Sequence, residues 1–346
     1  MDAAPAGPRI LVVGPAWVGD LVMAQSLLLT LKRQTPAPRL HVLAPAGLLP
    51  LLERMPEVER GIPLPVSHGR LDLGTRRRLA RQLALAGYGQ AILLPNSWKS
   101  ALVPWWAKIP RRTGWRGEMR WGLLNDLRQL NPRQLPTTVQ RFVALALDRN
   151  APVPGLDTLP RPRLRVDPDA AQRAMQRLGL RRDPARRLLA LCPGAEFGPA
   201  KRWPPEHYGE LARILHPQGW QVWLFGSPQD QPDCATLNQV SGGLCSNLAG
   251  RTSLGEAVDL LSLADLVVSN DSGLMHVAAA LDRPLVALFG STDPGHTPPL
   301  GRRQAVVALD LPCRPCFQRT CPLGHLDCLV QLPVQRVVTA LEGLLS

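Results

Sequence analysis

Apolar positions along this chain follow two alternating patterns. Short, mainly apolar runs recur at residues 9–13, 40–44 and 90–94, as expected of strands buried on both faces. Between and after them, residues 21–31, 48–54, 75–86, 100–108 and 139–148 carry apolar positions at helical spacing. Strands alternating with helices mean βαβ units and a mostly parallel sheet. Residues 151–168 break the rhythm: Pro152, Pro154, Pro160, Pro162 and Pro168 forbid a regular element, so an interdomain linker is expected there. The alternation then restarts. It predicts strands at 187–191, 221–225, 266–269 and 284–289, with helices at 169–178, 206–215 and 254–264 and one after the loop 270–276 that runs to about 281. The pattern predicts two doubly wound α/β domains in tandem, 1–165 and 166–346, with the last helix a candidate for packing back on the first domain.

Ligands of such sheets gather outside the carboxyl ends of the strands. The first candidate there is Gly14-Pro15-Ala16-Trp17-Val18-Gly19-Asp20, the turn from the first strand into the first helix. Asp20 reads either as a helix N-cap or as a carboxylate facing a ligand. In the second half the same edge supplies Gly194, Lys201, Gly226 and the run Asp271 to His276. A helix N-terminus beside a lysine suits a diphosphate. The plain alternatives are a surface charge for Lys201 and a helix-face residue packed on the sheet for His276. Neither the dinucleotide fingerprint nor a Walker-type loop occurs, which argues against both of those nucleotide sites.

Composition adds a charge asymmetry. The chain has 346 residues, 45% hydrophobic and 19% charged, enough for two proper cores. No apolar stretch is long enough to span a bilayer, and a strand at residue 9 leaves no room for a signal peptide, so a soluble cytoplasmic protein is expected. Residues 1–165 hold 24 Lys+Arg against 10 Asp+Glu, whereas residues 166–346 hold 16 against 17. The whole excess of +13 therefore lies in the first half, where it suits an anionic partner or forms only a solvated face. Trp98, Trp105, Trp106, Trp115 and Trp121 crowd the same region, for packing, sugar stacking or a membrane contact.

Three strings carry a resemblance. Gly14 to Asp20, Gly194 to Pro204, and Asn270 to His276 with the Ala-Ala-Leu beyond it resemble glycosyltransferase family 9, the ADP-heptose:lipopolysaccharide heptosyltransferases. The segments 94–104 and 112–120 resemble the branch of that family which transfers to the first heptose of the inner core. The resemblance implies the GT-B fold, two Rossmann-like domains facing a cleft, with the acceptor on the first domain and the nucleotide-sugar on the second. It implies Asp20 as general base, Lys201 on the donor's phosphates, and Asp271, Ser272, Gly273 and His276 around the diphosphate and sugar, with Gly194 and Gly226 beside them. Gly19, Asn96, Lys99, Arg116 and Arg120 fall to the acceptor side, and Arg76, Arg77, Arg78, Arg111 and Arg112 are further candidates for its approach.

The implied reaction is inverting transfer from ADP-heptose to an anionic glycolipid, heptosylated Kdo-lipid A. A leaving diphosphate needs no protonating acid, so one carboxylate suffices, and neither a cofactor nor a metal at the reaction centre is expected. Peripheral contact with the cytoplasmic face of the inner membrane is expected; nucleic acid is not. The competing readings are family members adding a first or third heptose, and a non-catalytic nucleotide-sugar or nucleic-acid binder. Cys313, Cys316, Cys321 and Cys328, with His325, have the spacing of a structural zinc site, although free thiols are the default. Cys192, Cys234 and Cys245 read as core.

Overall fold

The computed structural model describes residues 7–66 and 70–345. The chain forms two compact units, Met1–Pro162 and Arg163–Ser346, and the division falls inside the proline-rich segment.

Unit one runs β1 (Arg9–Val13), α1 (Val18–Lys32), β2 (Arg39–Pro45), α2 (Leu49–Leu52), β3 (Val58–Leu64), α3 (Leu73–Ala84), β4 (Gln90–Leu93), α4 (Trp98–Trp106), β5 (Arg111–Trp115), β6 (Asp126–Arg128) and α5 (Thr138–Ala146). Its six strands pair in the order β3-β2-β1-β4-β5-β6, all parallel. The apolar run of β1 is its central strand, with Leu11 and Val12 fully buried. Helix α1 is apolar nearly all round, buries most of its residues and packs against α5. Thr137 starts α5 with a capping box: its hydroxyl accepts from Gln140 N, and the Gln140 side chain returns to the Thr137 backbone.

Unit two runs α6 (Pro168–Leu178), β7 (Arg187–Cys192), α7 (Pro205–Leu215), β8 (Trp220–Leu224), α8 (Gln231–Val240), β9 (Cys245–Asn247), α9 (Leu254–Leu261), β10 (Leu266–Asn270), α10 (Gly273–Ala280), β11 (Leu285–Leu288), β12 (Gln304–Val307), α11 (Asp327–Val330) and α12 (Val334–Leu345). Its strands also run parallel, in the order β12-β11-β10-β7-β8-β9. Helix α6 is bounded by local chemistry: Asp167 accepts from Ala170 N at its start, and Gly179 takes the left-handed conformation (φ 67°) at its end. The last helix, α12, packs on β11, β12 and α7 of unit two, burying Val334, Val337, Val338 and Leu341.

Periodicity missed β3, β5, β6, α8, β9, β12 and α11. Most lie at sheet edges or bury little. Helix α8 buries only Cys234 and Leu237. Strands β5 and β6 are polar because their charges are satisfied by one another. Asp126 accepts from Arg111 at 3.0 Å, Arg128 at 3.1 Å and Arg149 at 3.0 Å. Burial opposes that carboxylate, but the three guanidinium groups hold it well below the usual carboxylate range.

Candidate functional site

Each sheet reverses its strand order once, between β1 and β4 in unit one and between β7 and β10 in unit two. The crevice outside the carboxyl ends of such a strand pair is the standard ligand position of an open α/β sheet.

In unit two, the connections after β7 and β10 are locked together by Asn270. Its fully buried amide oxygen accepts from Trp203 N and Tyr208 Oη, both at 3.1 Å, and its nitrogen donates to Pro193 O at 2.6 Å. That lock fixes the turn carrying Lys201. Lys201 Nζ donates to Asp271 Oδ2 at 2.6 Å, and Thr292 Oγ1 donates to the same oxygen at 2.6 Å. Lys201 also lies over the Phe197 ring at 4.9 Å, with the Arg319 guanidinium at 5.3 Å from that ring's centre. The Asp271 side chain is 3% exposed and that of Lys201 13%. Ser272 is the N-cap of α10, but its side chain makes no capping bond. The first-turn amides of α10 thus point toward the edge that holds Lys201, an arrangement that favours an anion.

Sequence reasoning missed Thr292 and Arg314. Arg314 fixes the Thr292 loop by donating to Gly290 O at 2.7 Å, Leu309 O at 2.6 Å and Thr292 O at 3.1 Å. The polar string Gly290-Ser291-Thr292 after β11 was the available signal; nothing local announces Arg314.

Gly194 and Gly226 have a structural reason. A Cβ at Gly194 would lie 2.4 Å from Asp230 Oδ2, and one at Gly226 would lie 2.9 Å from Asp230 Cβ. The buried Asp230 carboxylate accepts from Ser227 N at 2.8 Å and Ser227 Oγ at 2.7 Å. Both glycines make room for it.

His276 is buried in α10. Burial lowers its pKa to about 4, Lys201 pushes the same way, and Asp271 opposes them. The imidazole is therefore neutral near pH 7. The unfolded chain takes up this proton below about pH 6.5 while the fold resists until about pH 4, so stability is full above pH 6.5 and falls as pH drops between the two. Urea unfolding between pH 7 and pH 4.5 should lose up to about 3 kcal/mol from this group. His276→Gln should flatten that slope; an unchanged slope would assign the loss to other groups.

Among the described residues, no three His, Cys, Asp or Glu side chains stand together as a metal site. The ligands are engaged elsewhere: His325 Nδ1 accepts from Asp327 N at 3.0 Å and sits 3.2 Å from Asp327 Oδ1, and Cys328 is part of the hydrophobic core. All seven cysteines are free thiols. Backbone amides, that of Leu326 foremost, lower the Cys321 thiol, whereas burial raises Cys234 to about 12 and Cys245 to about 11. The expectation of no metal at the reaction centre also rested on the lack of an Asp-x-Asp string, and that ground is wrong: the sequence holds one, Asp167-Pro168-Asp169, whose first carboxylate is the cap of α6.

In unit one, Asp20 is the third residue of α1 and half-buried. It is not the N-cap: that position is Trp17, in extended conformation. A carboxylate in the first turn also complements the helix dipole. Gly19 is buried beside it. Asn96 and Lys99 follow β4, and Arg116 follows β5, so these candidates leave three neighbouring strands, β1, β4 and β5. Arg116 is exposed, its guanidinium 5.8 Å from the Trp121 ring centre.

Arg120 differs from the expectation of a ligand-facing group. It is 1% exposed and donates to Pro95 O at 2.8 Å, to Asn96 Oδ1 at 3.2 Å and to Trp115 O. A guanidinium with five donors is well suited to tie the loops after β4 and β5 together. Arg76 is likewise buried, on Leu71 O at 2.6 Å and Lys99 O at 3.3 Å; Arg112 donates to Leu123 O and Ile109 O, both at 2.6 Å. Arg77 and Arg78 remain exposed. Arg120→Met should therefore destabilise unit one by about 2–4 kcal/mol, because it orphans buried carbonyls. Denaturant melts check this; a loss below about 0.5 kcal/mol would return Arg120 to a surface role.

Comparison with known proteins shows the family. The description of glycosyltransferase family 9 (heptosyltransferase) matches residues 76–327. The chain is 47% identical to the lipopolysaccharide heptosyltransferase 2 of Salmonella typhimurium over 98% of its own length and 99% of that protein. It is 46% identical to the Escherichia coli lipopolysaccharide heptosyltransferase 2 over 97% of this chain and 98% of the other. The solved structure of the E. coli ADP-heptose LPS heptosyltransferase II superposes with a TM-score of 0.86 at 45% identity, covering 97% of this chain and 98% of that one.

Proposed function

This chain belongs to glycosyltransferase family 9, the heptosyltransferases, and from that premise we propose that it transfers L-glycero-D-manno-heptose from ADP-heptose to the first heptose of the lipopolysaccharide inner core, the heptosyltransferase II reaction. The observation that carries the donor half of this reading is the Lys201–Asp271–Thr292 cluster at the reversal point of the second sheet, beside the N-terminus of α10. Unit two is the donor domain in this reading, and unit one the acceptor domain.

An ammonium has three donors. Asp271 takes one from Lys201 and, with Phe197 beneath, orients the rest for the diphosphate. The amides opening α10 and the Ser272 hydroxyl bind the same group, while neutral His276 packs behind them. Asp20 takes the proton of the acceptor hydroxyl as its oxygen attacks the anomeric carbon. The carbon–oxygen bond to ADP breaks, and Lys201 with the α10 amides stabilises the charge gained by the leaving diphosphate. Asn96, Lys99 and Arg116 hold the acceptor, with Arg120 fixing their loops. The acceptor is an anionic glycolipid, which places the enzyme at the cytoplasmic face of the inner membrane. Among the described residues no helix is long and apolar enough to cross a membrane.

The test offers ADP-heptose with Kdo-lipid A carrying no heptose, one heptose or two. Transfer to the one-heptose acceptor alone is expected. Transfer to the bare acceptor or to the two-heptose acceptor would move the chain to another activity of the family, and absence of transfer to all three would end the reading.

A further inference from the structure

Unit one exposes large apolar side chains among basic ones. Helices α3 and α4 lie side by side, and Arg76 on α3 donates to Lys99 O at the start of α4. Trp98 and Trp105 are seven residues apart, on one face of α4, and are 39% and 42% exposed. Beside them the loop after β5 exposes Met119 by 79% and Trp121 by 60%. Hydrogen bonds hold that loop against the start of α4: Trp98 N donates to Glu118 Oε2 at 3.0 Å, and Glu118 N to Asn96 O at 3.2 Å. Leu73, Arg77 and Arg81 share one face of α3 at helical spacing and are exposed, as are Arg78, Lys108 and Arg116. The acids here, Asp72 and Glu118, accept from backbone amides. Side chains this large and apolar are costly to leave in water as a group, and soluble monomers rarely gather them without use.

We infer that this face, built from α3, α4 and residues 116–122, docks unit one on an anionic lipid bilayer surface. Tryptophan suits the interface because its body is apolar and its N–H polar. Methionine enters the acyl boundary, and arginine and lysine reach lipid phosphates while their stems cover apolar surface. The occupant is fixed by complementarity: exposed cations stand on the same two helices and loop as the apolar side chains, and the whole net positive charge of the chain belongs to this half of the sequence. The inference deepens the glycolipid reading and rests on it for its purpose, since docking would bring unit one to an acceptor anchored in the bilayer.

The test is sedimentation of the full chain with vesicles of phosphatidylcholine containing about one-third phosphatidylglycerol, without any glycolipid. Binding is expected at about 0.1 M salt and should weaken strongly at about 0.5 M. It should also weaken on pure phosphatidylcholine. The double variant Trp105→Ser/Met119→Ser should bind about tenfold less with an unchanged melting curve. Arg77→Glu/Arg78→Glu/Arg81→Glu should lose the preference for anionic vesicles. Absence of sedimentation by the parent, or equal binding by the double variant, would overturn the inference. A water-soluble heptosylated acceptor separates the two readings: there the double variant should match the parent, and a parent inactive on it would remove the catalytic reading while leaving the vesicle result intact.

Discussion

Asp20→Asn should cut transfer about 10²–10⁴-fold while leaving the fold and ADP binding close to those of the parent, the usual loss for a general base. Asp20 occupies the third position of α1, where a side chain stands over the first turn, and follows the central strand β1. Asparagine keeps the shape and can still accept a hydrogen bond, but it cannot take a proton. A purely structural role would give a different result. Loss of a favourable charge at a helix start costs about 0.3–1 kcal/mol and leaves activity per folded molecule unchanged. Single-turnover rates beside a denaturant melt separate the cases. Normal turnover with lowered stability would end the assignment of Asp20 as base.

Lys201→Ala is the second large effect, and it is double. It should weaken ADP and ADP-heptose binding and slow transfer about 10²–10³-fold, by removing the cation that stabilises the departing diphosphate. It should also destabilise unit two by about 3–5 kcal/mol, because it leaves the Asp271 carboxylate buried without its partner. The double variant Lys201→Ala/Asp271→Asn resolves the two. Removing both charges should restore much of the stability but none of the donor binding, a coupling a double-mutant cycle would measure. Calorimetry with ADP and urea melts are the readouts. If the double variant regained ADP affinity along with stability, Lys201 would be a structural cation only.

These variants probe a site that was only half legible. The loops ending in Asp20, Lys201 and Asp271 stand out in the sequence because each follows an apolar run and precedes helical spacing. Arg120 shows the limit from the other side. An arginine in a basic, tryptophan-rich segment looks like a ligand contact, yet its guanidinium turns inward to Pro95 O and Trp115 O. Gly194 and Gly226 look like phosphate-loop glycines, yet they are small because Asp230 lies against them. Thr292 reaches Asp271 across 21 positions, and Arg314 reaches Gly290 across 24, so no local window contains either contact. The cysteine spacing shows the same limit: it measures distance along the chain, whereas His325 contacts Asp327 and Cys328 packs in the hydrophobic core.

The sequence by itself determined the alternation of buried strands and amphipathic helices, the proline break between two such series, and the family, because those features are written in neighbouring residues and their burial. Only the tertiary structure decided the strand order. That order puts β1 beside β4 and β7 beside β10, and so makes neighbours of the connections that carry the site. It also decided which polar side chains face inward. Periodicity reports how each residue is buried, not which distant segment covers it. Trp203 illustrates the difference: its ring is 1% exposed, as an apolar residue after a buried strand should be, but its Nε1 is satisfied by Leu332 O, 129 residues further along the chain.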